Sequence, residues 1–373
     1  MTEVVTSLTP ITTDGYSLSK FLFQLSFSDD SPASIAVLQA ILSLASVYRH
    51  GNAEEPLRLK VASLGSLSAS MNQRNIGTRE IYQHVAVGML ICAFEIFLPS
   101  ETSFQWPLYV SGAKSMLHEI CDGGHPKLME ADLLILWVHY HDILARFTSK
   151  HWNTESAEKS SISKMQGMAS SLASVADNQV LGIFGCSLEM INLIARMSEI
   201  KLQSGCPGNI PYAERMILRS IENDLLSIKQ DTTSLIGTNP ADDVNYGSRM
   251  SQLYRLAGLI YYERVLKDSS TSLQVTRWSD EAFDIMRQLK ICDRPFPLFF
   301  VACEAHTDEQ RDVILFLLER TQKASGHRRM HVVKGMIELM WVQLDLVSDL
   351  GETKYVDMLN VVISSNKSLP TLA

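Results

Sequence analysis

Apolar residues recur at helical spacing along almost the whole chain, and polar stretches between them mark where one helix stops and the next starts. Ser31-Pro32 offers a cap and a first-turn proline, after which Leu38, Ile41, Leu42, Ala45 and Tyr48 share a face. A second helix is expected over Leu57–Leu67. A third, from Arg79 to Leu98, is apolar on nearly every side over its last three turns, so it belongs at the centre of the protein, and Pro99 ends it. Leu133, Leu136, Trp137, Tyr140, Leu144 and Phe147 form another stripe. Further helices are expected over Gly182–Gln203, Pro211–Lys229, Gly247–Lys267 and Trp278–Leu289. A long one near the end carries Val333, Met336, Ile337, Met340, Trp341 and Leu344 on one side. No strand-like alternation and no repeat interrupts this pattern.

The expected fold is therefore all-α, a single large domain of about a dozen packed helices over residues 31–350. Residues 1–30 read as a loose leader and 351–373 as a tail. Polar, serine-rich or acidic stretches at 150–177 and 231–246 read as surface loops, which could divide the chain near 150 or 240. Apolar faces on both sides of each argue for one packed unit.

One stretch organises the rest, RPFPLFFVACEAHTDEQRDVI from Arg294 to Ile314. Pro295 and Pro297 set where a helix can begin, and Leu298–Cys303 is apolar enough to be buried. Thr307 with Gln310 makes a capping box for a following helix, and Asp308 and Glu309 suit its positive N-terminal end. A buried helix thus turns a corner into a new one, with Glu304 and His306 at the corner.

Pro297, Leu298, Phe299, Cys303, Glu304, Ala305 and Arg311 resemble a signature of the fungal-specific transcription factor domain. That family is the helical regulatory region found C-terminal to a six-cysteine binuclear zinc cluster. Trp106, Gly112, Ala113 and Leu117 resemble a second element of the family, and YRLAGLIYYERVL a third. The matches run in order through most of residues 30–350. Ala302 stands where the family usually has glycine. The resemblance implies a helical, ligand-responsive regulatory domain.

The zinc cluster itself needs closely spaced cysteine pairs, whereas here the nearest two cysteines, Cys292 and Cys303, stand eleven residues apart. The expectation is a chain that naturally lacks the cluster. A net charge of −8 and a pI near 5.7 have the wrong sign for independent DNA binding. With 46% hydrophobic and 20% charged residues the chain has enough apolar material for a large core. Single cysteines indicate a reducing compartment, and the longest apolar run, Val85–Leu98, falls short of the roughly 20 residues of a membrane span. The expected location is intracellular, nuclear or cytoplasmic.

Nucleotide-binding, nucleophile-elbow and zinc-protease signatures are absent, and no cofactor or metal is expected. His139 and His141 would sit about 200° apart on a helix and cannot share a metal. His327 and His331 share a face beside Arg328 and Arg329, which repel a cation. Glu95 and Glu304 interrupt apolar text, and a buried carboxylate must be paired, hydrogen-bonded or protonated. If the chain is an enzyme, the acid–base candidates are Glu304, His306, Glu95 and His141. Candidate ligand contacts are Trp106, Trp137, Tyr140, His141, Glu304 and Trp341, around a cavity bounded by Glu304, His306 and Trp341 with Glu95 or His141 opposite.

Three functions follow from different classes. The first is a regulator sensing a small apolar metabolite or modulating a partner regulator. The second is a cofactor-independent cyclase or isomerase of secondary metabolism that reuses the regulatory pocket. The third is a dimerising scaffold.

Overall fold

The computed structural model describes residues 13–50, 54–72, 76–98, 106–124, 126–128, 130–152, 177–200, 212–232, 240–268, 272–325, 329–350 and 354–373. The fold is all-α: fourteen α-helices and one two-stranded hairpin occur among the described residues. The helices gather into two compact units whose boundary falls inside one helix, between Asp142 and Ile143.

The first unit holds α1 (Thr13–Ser26), α2 (Pro32–His50), α3 (Glu54–Met71), α4 (Thr78–Phe97), α5 (Trp106–Asp122) and the first half of α6 (Asp132–His151). In α4, every residue from Ile81 to Phe97 except Gly88 is buried, as a helix apolar all round requires. Gly88 lets α5 come close, since a Cβ there would stand 3.4 Å from the Tyr109 carbonyl oxygen. Serine hydroxyls join α2 to α3: Ser43 donates to Pro56 O at 2.8 Å and Ser63 to Ala36 O at 2.8 Å. Instead of a loose leader, residues 13–26 form α1, because Leu18, Phe21, Leu22 and Leu25 fall on one face and are buried. The Gln83 amide ties α4 to the end of α1 by donating to Leu25 O at 3.0 Å.

Two helices, over Pro32–Arg49 and Thr78–Phe97, are apolar and long enough to cross a membrane, each with a hydropathy of 1.3. Protein packing already uses those faces, covering 56% and 83% of the two windows. Amides of α4 are accordingly expected to be among the last in the first unit to exchange with deuterium. Exchange of α4 ahead of α1 or α3 would contradict its central position.

The second unit opens with the rest of α6. After it come β1 (Val180–Leu181), β2 (Cys186–Ser187), α7 (Leu188–Glu199), α8 (Tyr212–Ser227) and α9 (Pro240–Tyr261). The hairpin replaces the first turns of the helix expected from Gly182. Gly185 takes φ +77, which a helix cannot hold, and Ser187 then caps α7 by accepting from the Met190 amide at 3.2 Å. Gly258 sets how closely α9 lies on α7 and α8, since a Cβ there would stand 2.9 Å from Met190 Cε and 3.1 Å from Leu225 Cδ2. A single π-helical turn, Tyr262–Leu266, ends α9.

There follow α10 (Leu273–Gln288), α11 (Pro295–Ala302), α12 (Asp308–Ser325), α13 (Arg329–Leu350) and α14 (Tyr355–Ser364). All eight residues of α11 are buried. In place of the expected tail, α14 turns Tyr355, Met358, Leu359, Val362 and Ile363 inward, and Leu372 and Ala373 beyond it are also buried. That apolar spacing suffices to fold the segment onto the unit. The helix expected from Gly247 begins earlier, at Pro240, inside the stretch expected to be a loop. The loop expected over 150–177 lies largely outside the described residues.

Candidate functional site

The corner after α11 is built as its residue order suggests. Pro295 and Pro297 occupy the first turn, where a missing amide hydrogen costs nothing, and the apolar run that follows is buried on every side. A helix end buried in this way leaves carbonyls that need donors. The Trp341 indole donates to Ala302 O at 2.7 Å, and Arg311 Nε donates to Ala305 O at 3.2 Å. Arg311 also lies over the Trp341 ring at 5.2 Å and holds Asp345 with both terminal nitrogens, at 2.9 and 2.6 Å. The capping box forms: Gln310 N donates to Thr307 Oγ1, and Gln310 Oε1 accepts from the Thr307 amide, each at 3.3 Å.

Glu304 sits at the C-terminal end of α11, where the helix dipole repels a carboxylate, and only 2% of it is exposed. Arg264 answers both penalties with a two-pronged contact, Nε to Oε1 at 3.0 Å and a terminal nitrogen to Oε2 at 2.7 Å. The π turn after α9 carries this arginine, and its wider winding offsets Arg264 from the register an α-helix would give it. Burial opposes ionisation of Glu304, but bonds from His306 and Arg264 outweigh it and hold the carboxyl below its ordinary value. His306 is more than half exposed, with Nε2 3.6 Å from Glu304 Oε2. Beside the pair, the Tyr355 ring lies 5.9 Å from the Arg264 guanidinium, and the Tyr355 hydroxyl and the Cys303 thiol are both buried. Burial raises the pKa of both of those groups.

Glu304, His306 and Trp341 thus meet at one corner of the second unit. Glu95, Trp106, Trp137, Tyr140 and His141 belong to the first unit. There Glu95 is buried in α4 and paired with Lys60, whose ammonium lies 5.4 Å from the Phe94 ring. His141 uses Nδ1 on the Trp137 carbonyl at 3.0 Å, and its ring meets Tyr140 edge-on at 5.3 Å and Trp137 at 6.0 Å. Trp106 is buried at the start of α5. Each of these aromatic side chains is part of the core. Among the described residues no group of three or more His, Cys, Asp or Glu could hold a metal ion.

The sequence profile described as "Fungal specific transcription factor domain" matches residues 1–362. The chain belongs to that family. Transcription factor iacI of Pestalotiopsis fici (strain W106-1 / CGMCC3.15140) is 28% identical to it over 357 residues, which are 94% of this chain and 88% of the relative. No solved structure matches. The signature residues that carry the resemblance are, in this member of the fungal transcription factor domain family, the packing corner itself. Arg311 closes the carbonyl of Ala305, Glu304 anchors Arg264, and Pro297, Leu298 and Phe299 fill the core.

Next to that corner lies a polar centre that sequence reasoning missed. His151, the last residue of α6, is fully buried. Its Nδ1 meets Asn360 Oδ1 at 2.8 Å and its Nε2 meets the Tyr261 hydroxyl at 3.0 Å. The Asn360 oxygen can only accept, so Nδ1 carries the hydrogen and Nε2 accepts from Tyr261. Burial, only partly offset by the Asn360 bond, pushes the imidazole pKa down to about 3. Phe147 and Tyr261 lie against the ring, each 5.7 Å from it, and Phe147 in turn packs 4.7 Å from Tyr261 and 5.3 Å from Phe296. The one available signal was position: His151 follows Leu144 and Phe147 on their stripe at steps of three and four.

Proposed function

We propose that the chain is a regulatory protein of transcription, acting in the nucleus by modulating a partner regulator in response to a small apolar metabolite. The observation that carries this reading is the family match across residues 1–362. Similarity to a transcription factor over 88% of that relative's length supports it. The state of the acid–base candidates supports regulation over catalysis. Glu304 is tied to Arg264, Glu95 to Lys60, and His141 to the Trp137 carbonyl, so their polar atoms serve packing. An active site instead aims such groups at a reacting atom. The negative charge of the chain and its singly placed cysteines support DNA recognition through the partner.

Two measurements test the reading. Fused to an unrelated DNA-binding module, the chain is expected to change the output of a reporter gene carrying that module's site. The unfused chain is expected to give no mobility shift with duplex DNA at micromolar concentration. An inert fusion would contradict the regulatory reading, and a steeply salt-dependent shift would contradict the need for a partner.

A further inference from the structure

We propose that the C-terminal segment, α14 with the residues after it, is a strap that docks and releases as one piece, and that its release takes up a proton at His151. The strap is held by two kinds of contact. Its apolar face, Tyr355 to Ile363, is buried, while Val361 on the outer side is 52% exposed. Polar catches hold it along its length. Lys354 Nζ lies 2.7 Å from Asp268 Oδ2, the Tyr355 ring lies against Arg264, Asn360 meets His151, and Ser364 Oγ donates to His151 O at 3.3 Å. A ten-residue helix has no stability of its own in water, so the strap is helical when docked and unfolded when released. Half-docked states are disfavoured, because they leave His151 Nδ1 buried with its bond to Asn360 unmade.

The proton enters through His151. With the strap docked, both ring nitrogens are bonded and the ring is surrounded by Phe147, Tyr261 and the strap itself. From α9 the ring faces Tyr261, and from α14 it faces Asn360, while Ser364 bonds the backbone carbonyl of His151. The charged group acting on it is the adjacent Lys150, whose ammonium donates to the carbonyls of Met197 and Ile200 and further opposes a second positive charge. Release removes Asn360 and admits water, returning the imidazole to its ordinary range. A group that binds a proton only in the released state favours release as pH falls through its free pKa. The population of the released strap therefore rises about eightfold from pH 7 to pH 5.5 and about ninefold over the next unit, levelling off toward pH 3, where the docked imidazole also takes up a proton. Release also takes the Tyr355 ring from Arg264, so the strap communicates with the Glu304 corner through one shared arginine.

Hydrogen exchange of the full chain tests this, with rates corrected for intrinsic exchange at each pH. Amides of residues 355–364 are expected to open more readily than those of α9 and α11, and to show the eightfold rise, while α9 and α11 do not. In His151→Gln the pH dependence should vanish. In Asn360→Asp, where a carboxylate favours the imidazolium in the docked state, it should shrink while the strap stays docked. Equal protection and equal pH dependence in α14, α9 and α11 of the wild-type protein would mean that the unit opens as a whole and would overturn the strap. An unchanged slope in whichever variant folds would overturn the role of His151.

Discussion

Replacing Glu304 by glutamine is expected to destabilise the second unit by about 3 kcal/mol, and replacing it by alanine by up to about 5 kcal/mol. The loss comes less from the pair itself than from the arginine left behind. Arg264 is only 13% exposed in its side chain and points both prongs of its guanidinium at the Glu304 oxygens. Without the carboxylate its charge stays desolvated and loses its two-pronged contact. Removing both partners together, in Arg264→Met with Glu304→Leu, should recover much of the stability, because two apolar side chains need no compensation. Urea denaturation followed by tryptophan fluorescence measures all of these differences. A Glu304→Gln protein as stable as the wild type would show that the clamp does not hold the corner. His306→Ala should cost under about 1 kcal/mol, since that side chain is exposed and screened. The pH dependence has a definite sign. The carboxyl of Glu304 is held below its ordinary value when folded, so its contribution is complete above that value and is lost as pH falls through the folded pKa. The acid limb of the wild-type stability curve should therefore be steeper than that of Glu304→Gln.

Gly185→Ala is expected to cost about 2–4 kcal/mol, from two sources acting together. At φ +77 any residue with a Cβ is strained by about 1–2 kcal/mol. The added carbon would also lie 2.6 Å from Met250 Cγ and 3.4 Å from Met250 Cβ, so α9 or the hairpin must shift. Gly124, at φ +65 with nothing within 4 Å of where its Cβ would stand, separates the two effects. Gly124→Ala should show the backbone cost alone, about 1–2 kcal/mol. Equal losses in the two variants would mean that Met250 yields freely and that packing around the hairpin is loose. The consequence for the site is indirect. The hairpin also receives Arg294, whose terminal nitrogen donates to Gly182 O at 3.3 Å, and Arg294 is the residue from which α11 starts.

Several features of the site could be read from residue order alone. The α11 corner was legible because each of its parts is local: two prolines, an apolar run, then a serviceable cap three residues long. The burial of Glu304 could be anticipated from its apolar neighbours. The identity of its partner could not, because Arg264 lies forty residues away on a turn whose π winding leaves no mark in apolar spacing. The helix expected to begin at Gly182 differs from the structure for a related reason. Periodicity does not distinguish a short buried hairpin from the first turns of a buried helix, and only the positive φ of Gly185 does. The segments at the two ends of the helical region have polar flanks, yet their few apolar residues repeat at helical steps and are buried as α1 and α14.

Helical class, the central place of α4 and the turn after α11 follow from residues within a few positions of one another, where backbone geometry alone decides which side chains share a face. Which buried polar group meets which is a different matter. Glu95 meets Lys60 across thirty-five residues, Tyr261 meets His151 across 110, and Asn360 meets His151 across 209. Those meetings depend on the path of the chain through three dimensions, and a single sequence carries no local trace of it. Burial then makes each meeting obligatory, because a charge or hydrogen-bonding group removed from water must find its partner inside the protein.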